Sequence, residues 1–218
     1  MPRPLSRSER RADLWVNGLA IIAGLIGVAV LMAAVIPRGR PDLTLSLLVY
    51  SCGLLAMLIC SALYHGGDVR PTKDAPGKGL LRRLDHAAIF VMNAGTYTPF
   101  LVAKLDGAWS RWLLAYVWAV ASLGVAMKLI WPYRFERLSV VLYLFLGWTI
   151  LVAIKPLVAS VSPAAIVLLA AGGVLYSVGV VFYLWERLPY QKPIWHGFVV
   201  AAAACHYVAI FEEIALRS

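Results

Sequence analysis

The sequence predicts an all-α integral membrane protein, a bundle of seven transmembrane helices with its N-terminus in the cytoplasm. Of the 218 residues, 61% are apolar and only 14% are charged, whereas a soluble domain is about half apolar and a quarter charged. The apolar residues form long uncharged runs separated by short basic stretches. We therefore predict one seven-helix domain over residues 15–218, preceded by a basic cytoplasmic tail over residues 1–14.

Seven apolar runs are long enough to be membrane spans, because a helix needs roughly 20 apolar residues to cross the hydrocarbon core. The predicted spans are, in order, 15–36, 43–65, 85–104, 109–130, 137–155, 163–185 and 194–215. The first run could instead be a cleaved secretory signal, but it is longer than the ~7–15 apolar residues of a signal core. The fifth is interrupted at Lys155-Pro156, after which an apolar run resumes.

The orientation follows from the basic residues, which alternate between the two sides of the predicted membrane. Fourteen of the 20 Lys and Arg residues fall on the side of the N-terminus and 6 on the other side. The positive-inside rule places the richer side in the cytoplasm and the C-terminus outside. This distribution and the anionic lipid headgroups also account for the formal charge of +9, so the predicted partner is membrane lipid and not nucleic acid.

Polar side chains lie at the predicted cytoplasmic ends of three spans. Ser61 and His65 are four residues apart near the end of the second span, Asp85 opens the third, and His196 opens the seventh. Ionisable residues at membrane depth are costly and mark functional sites. Imidazole and carboxylate are ligands of Zn²⁺, whose bound water becomes a hydroxide nucleophile near neutral pH. Asp85 could bind the ion or deprotonate that water, and Ser61 could orient a ligand.

A purely structural interpretation stays open beside the metal site. A histidine at a span end is often interfacial, and an aspartate that opens a helix can simply cap it. His86 points about 100° away from Asp85 around the helix, and we predict an interfacial position for it. His206 lies ten residues after His196 and cannot bind the same ion; we predict that it bonds to another helix, with a proton relay as the alternative.

Three separated motifs resemble one known family. They are SALYH over 61–65, LDH over 84–86 leading to AGTYTP over 94–99, and IWHGFV over 194–199. Together they resemble the hemolysin III proteins, the bacterial branch of the progestin and adipoQ receptor family, over nearly the whole chain. The resemblance implies a seven-helix bundle in the inner membrane, with a zinc ion near its cytoplasmic face held by three histidines. Ser61, His65, Asp85 and His196 stand at matching positions.

The resemblance has two departures. The third histidine position of the family falls on Lys192, and an ammonium group cannot ligate a metal. Either the ion is held by His65, His196 and a carboxylate or waters, or the protein binds metal weakly or not at all. The family's first motif is also reduced, because Asp13 and Asn17 remain without the Thr-His pair that usually follows.

Three functions remain open on this sequence. The first is a zinc-dependent membrane hydrolase that resembles ceramidase-like enzymes and cleaves a lipid amide, with Asp85 and Ser61 as catalytic residues and His65 and His196 as ligands. The second is the pore-forming or cytolytic protein that the family name implies, although no predicted span carries a polar stripe suited to a wide pore. The third is a sensor of membrane state without chemistry, as the receptor role of the eukaryotic relatives implies.

Overall fold

The computed structural model describes residues 6–66, 78–105, 107–131 and 133–217, and these ranges are almost entirely helical. The α-helices are α1 Arg7–Val35, α2 Pro41–Gly66, α3 Lys78–Ala103, α4 Gly107–Ile130, α5 Glu136–Trp148, α6 Ile154–Ser160, α7 Pro163–Leu184 and α8 Gln191–Ile210. A 3₁₀ segment, Thr149–Ala153, joins α5 to α6, and a π-helix, Phe211–Leu216, continues α8. Because α5, the 3₁₀ segment and α6 form one continuous crossing, the predicted all-α class and seven-helix bundle are confirmed.

Helix α3 differs from the other members of the bundle in polarity. Six helical segments of the described ranges are long and apolar enough to cross a membrane, and α3 is not among them. It is 26 residues long, but it contains Asn93, Thr96 and Thr98 in its second half. It packs against α2, α4, α5 and α8. Because protein surrounds it on several sides, α3 can hold polar side chains that a lipid-facing helix would expose to hydrocarbon.

Helix α1 begins within the predicted cytoplasmic tail. Ser6 and Glu9 form a capping box, in which the Ser6 hydroxyl accepts from the Glu9 N–H and the Glu9 carboxylate accepts from the Ser6 N–H. The other Glu9 oxygen accepts a 2.7 Å hydrogen bond from the backbone N–H of Tyr190, the residue before α8. The predicted boundary at residue 15 is therefore a change in polarity inside one helix. The polar face of its first turns is buried against the start of α8.

Helix α3 also begins earlier than predicted, at Lys78 instead of Asp85. Asp85 therefore lies two turns inside the helix, and the interpretation of this residue as an N-terminal cap is wrong. The loop predicted over 66–84 falls largely on residues 67–77, outside the described ranges. The early start has a physical reason, because two arginines of this segment bond to neighbouring helices. Arg82 donates to Glu136, the first residue of α5, and Arg83 donates to the Leu129 carbonyl of α4. These contacts extend the helix beyond its apolar run.

The fifth crossing changes its helix type near its middle, as the interrupted apolar pattern suggested, although the break comes before Lys155. The Tyr97 hydroxyl of α3 lies 2.8 Å from the carbonyl oxygens of Leu146 and Gly147, and it accepts a 2.9 Å hydrogen bond from the Ile150 N–H. A change from α to 3₁₀ geometry leaves backbone groups without their regular partners. The buried Tyr97 hydroxyl is the partner of all three backbone groups, and this contact fixes the place where the helix type changes.

Candidate functional site

The structure brings the sequence-predicted residues together at one end of the bundle. Ser61 and His65 come from the last turns of α2, Asp85 from the early part of α3, and His196 from the second turn of α8. The rings of His65 and His196 are 4.7 Å apart between centroids. The ends of these helices therefore meet in space. Their position on the cytoplasmic side of a membrane stays a prediction.

His196 is held by a carboxylate from the first helix. Its Nδ1 lies 2.6 Å from Asp13 Oδ1, and both residues are about 95% buried. An ionised carboxylate only accepts, so Nδ1 donates to Asp13, and in the neutral ring Nε2 presents a lone pair. That nitrogen lies 3.4 Å from the Ser61 hydroxyl. The Asn17 amide donates to the backbone carbonyl of Asp13 at 2.9 Å, and its Nδ2 lies 3.2 Å from His196 Nδ1. Asp13 therefore fixes both the tautomer and the direction of His196.

His65 sits between a carboxylate and an ammonium group. Its Nε2 lies 3.9 Å from Asp85 Oδ2, and its Nδ1 lies 3.4 Å from Lys192 Nζ. Lysine can only donate, so Nδ1 of His65 accepts in this contact and Nε2 carries the proton of a neutral ring. Protonated Nε2 then points towards Asp85. Both nitrogens of His65 face charged side chains of other helices, which leaves neither directed at an open ligand position.

Two further histidines line the same cavity, and one of them was misplaced by the sequence. His86, predicted at the interface, is mostly buried and lines the cavity; its Nδ1 donates to the Arg82 carbonyl at 2.9 Å and lies 3.6 Å from Asp85. Asp85 and His86 point about 100° apart around α3, but the cavity extends over more than one face of this helix and both residues line it.

The His206 ring bonds to the Leu169 carbonyl of α7 at 3.3 Å. The predicted bond from His206 to another helix is confirmed.

The polar cluster closes one end of a cavity of about 400 Å³, within the usual range of ligand pockets. The lining extends along α3 from Asp85 to Phe100, a rise of about 22 Å at 1.5 Å per residue. Beyond the cluster the walls are mainly apolar and come from α3, the fifth crossing, α7 and α8. The cavity therefore has one charged end and a long apolar remainder.

The residues of this site do not fit the zinc ion that the family resemblance implies. Within the described ranges, no group of three or more His, Cys, Asp or Glu side chains is placed to hold a metal ion. A catalytic zinc needs three protein ligands with nitrogen, oxygen or sulfur lone pairs directed at one point. Here the third position carries Lys192, whose ammonium lies against His65. We therefore derive no chemical step through a metal, and zinc remains only a prediction of the resemblance.

The sequence placed Asp13 and Asn17 in the reduced first motif of the family, but it did not predict that they belong to the site. Glu9, Asp13 and Asn17 recur at intervals of four residues, so they share one face of α1, and all three are buried. A polar stripe at this spacing on a membrane helix was the available signal. The prediction of a basic cytoplasmic tail over residues 1–14 concealed it, because it placed Glu9 and Asp13 outside the first span.

Comparisons with known proteins agree with this architecture. A family model described as "Haemolysin-III related" matches residues 7–207. The chain is 35% identical over 202 residues to the "Hemolysin-3 homolog" of Bacillus subtilis (strain 168), and the alignment covers 93% of this chain and 92% of the relative. It is also 35% identical to "Hemolysin-3" of Bacillus cereus, covering 93% and 90%. The human "Monocyte to macrophage differentiation factor" is 24% identical over 219 residues, covering 94% and 84%.

Proposed function

The chain belongs to the haemolysin-III related family of membrane proteins, and from this premise we propose that it is a membrane hydrolase that cleaves lipid amides. The supporting observation is the cavity, with a buried cluster of His196, Asp13, Ser61 and His65 at one end and apolar walls beyond it. The apolar part suits an acyl chain, and the polar end suits the amide group where that chain begins. Bond cleavage then takes place next to the polar cluster.

The chain's own residues supply the acid–base chemistry of this proposal. In the neutral ring, His196 Nε2 faces the cavity as a proton acceptor, and the buried Asp13 holds the ring in place. A positioned imidazole of this kind accelerates proton transfer by about 10²–10⁴-fold. Lys192 lines the same end of the cavity and contributes positive charge where a carbonyl oxygen would become negative. Asp85, predicted to act on a metal-bound water, has a positioning role in this proposal, because the protonated Nε2 of His65 faces it at 3.9 Å.

We also propose the bacterial inner membrane as the location, with the site at the cytoplasmic face. The basic residues support this orientation, since the predicted topology assigns 14 of the 20 Lys and Arg residues to the side of the polar cluster. The bacterial relatives at 35% identity support a bacterial membrane. A substrate would then enter from the surrounding lipid and release its polar product to the cytoplasm.

The test is hydrolysis by purified protein in liposomes that contain a panel of N-acyl lipids, ceramide included. Released fatty acid is measured by mass spectrometry for the wild type, His196→Asn and the control Ser51→Ala, whose hydroxyl bonds within α2. We expect release by the wild type and the control, and at least about 100-fold less by His196→Asn. No release from any lipid of the panel would refute the hydrolase.

The same preparation separates the two other functions that the sequence left open. Saturable lipid binding without turnover would favour a sensor. Ion leakage from the liposomes that is equal for the wild type and His196→Asn would favour a pore, because a pore does not need an intact polar cluster.

A further inference from the structure

Ser61, His196 and Asp13 form one continuous chain of contacts across three helices. The Ser61 hydroxyl lies 3.4 Å from His196 Nε2, and His196 Nδ1 lies 2.6 Å from Asp13 Oδ1. Nucleophile, base and orienting carboxylate in this order define the arrangement that activates a serine, and it recurs on unrelated folds. A distance of 3.4 Å is longer than an ideal hydrogen bond, but such contacts commonly tighten only when substrate is bound.

The Ser61 hydroxyl behaves differently from the other serines of its own helix. A serine in a helix usually bonds back to a carbonyl one turn earlier. Ser46 and Ser51 of α2 do so, donating at 2.8 Å to the carbonyls of Leu43 and Leu47. Among the hydrogen bonds of the described residues, Ser61 is instead paired with His196. Its hydroxyl therefore faces a base at the wall of the cavity, where a substrate can reach it.

We propose that Ser61 is the nucleophile of a covalent, metal-independent hydrolysis, with His196 as its general base and Asp13 as the positioning residue. This inference rests on the proposed function and replaces the ion of the family resemblance with groups of the chain itself. It also assigns a role to Asp13 that the sequence did not. Lys192 occupies the third ligand position of the family and supplies the fixed positive charge there.

The reaction balances with water as the only co-substrate. The Ser61 Oγ attacks the amide carbonyl carbon and forms the Oγ–C bond, while His196 Nε2 takes the hydroxyl proton. The C–N bond then breaks as His196 returns that proton to the departing amine, and an acyl ester remains on Ser61. Water attacks the ester and gives a proton to His196, the C–Oγ bond breaks, and the proton returns to Oγ. The products are a carboxylic acid and an amine.

The test uses a fluorophosphonate probe, which phosphonylates an activated serine without any need to know the substrate. Purified full-length protein in detergent is treated with the probe, and the labelled peptide is identified by mass spectrometry. We expect labelling of Ser61 in the wild type and in Ser51→Ala, and none in Ser61→Ala. Asp13→Asn should slow labelling by about 10²-fold or more, since it removes the acceptor that fixes the His196 tautomer. A metal chelator should leave the labelling rate unchanged.

The outcomes separate this inference from the proposed function. Turnover of a lipid amide that a chelator abolishes, with Ser61 unlabelled, would overturn the serine mechanism and leave the hydrolase standing. Labelling of Ser61 without turnover of any lipid would support the activated serine and remove the amide substrate. Labelling that is confined to other residues, or an equal rate in Asp13→Asn with an unchanged melting temperature, would also overturn the mechanism.

Discussion

Lys192 is the single residue at which this chain departs most clearly from the metal sites of its family. Its ammonium lies 3.4 Å from His65 Nδ1, so it occupies one of the two ring nitrogens with which His65 could bind a metal. An ammonium has no lone pair and repels a divalent cation. The chain therefore has a covalently attached positive charge at the position where the family resemblance implies a metal ligand.

Replacing Lys192 by histidine should restore zinc binding. The change removes the repelling charge and adds a lone pair one helical turn before His196, on the same face of α8. We expect about one zinc per chain in Lys192→His, as in other sites with three protein ligands, and far less than that in the wild type. Bound zinc is measured by elemental mass spectrometry after purification without added metal. Stoichiometric zinc in the wild type, lost in His65→Ala, would contradict this expectation.

Lys128 is a second residue whose charge is costly. Its side chain is 1% exposed, and its ammonium has no hydrogen-bond partner among the described residues. A buried polar group without a partner costs about 1–3 kcal/mol. Lys128→Met keeps the length and removes the charge, so we expect a higher melting temperature in the same detergent. Lys155→Met, at an exposed position on α6, is the matched control and should change little. A lower melting temperature for Lys128→Met alone would show that the ammonium is stabilising.

At the scale of the elements, two contacts between helices determine the geometry of the site. Glu9 joins the first turn of α1 to the residue before α8 through the Tyr190 N–H. Asp13 lies one turn further along the same face, and this places it against His196. On the other side of the cavity, Tyr97 of α3 holds the break in the fifth crossing. Both contacts satisfy backbone groups at helix irregularities, where regular hydrogen bonds stop.

Removing the Tyr97 hydroxyl should destabilise the fifth crossing. Tyr97→Phe leaves the ring in place but deprives Leu146, Gly147 and Ile150 of their shared partner. Buried backbone groups that lose a partner cost about 1–3 kcal/mol. We expect a lower melting temperature and faster hydrogen exchange over residues 146–153. Tyr116→Phe, at a partly exposed position on α4, serves as the control. Equal melting temperatures for the two variants would mean that water or a shifted helix satisfies the break.

At the scale of the whole molecule, the outer surface and the charge distribution describe its setting in a membrane. Large apolar side chains are exposed along α1, among them Leu19, Ile22 and Ile26, as expected for a surface that faces lipid. The polar cluster lies at one end of the bundle, and the topology predicted from the sequence assigns 14 of the 20 Lys and Arg residues to the same side. A soluble protein would not leave so much apolar area uncovered.

The predicted orientation can be tested with fusions to the C-terminus. The positive-inside rule places the last residues outside the cytoplasm. An alkaline phosphatase fused there should therefore be active, and a green fluorescent protein carried across by the same route should stay dark. The same reporters placed before residue 7 should give the opposite pattern. A fluorescent C-terminal fusion would reverse the orientation or change the number of crossings.

The helix order, the all-α class and the meeting of Ser61, His65, Asp85 and His196 at one end of the bundle could be predicted from the sequence. These properties follow from long apolar runs and the breaks between them, which are local and set by the thickness of the hydrocarbon core. The contact of Asp13 with His196, 183 residues away, and that of Lys192 with His65 became visible only in the folded structure. Such contacts depend on the rotation of each helix about its axis. Apolar patterning does not fix that rotation in a membrane, because the sides of a helix that face lipid and those that face other helices are both apolar.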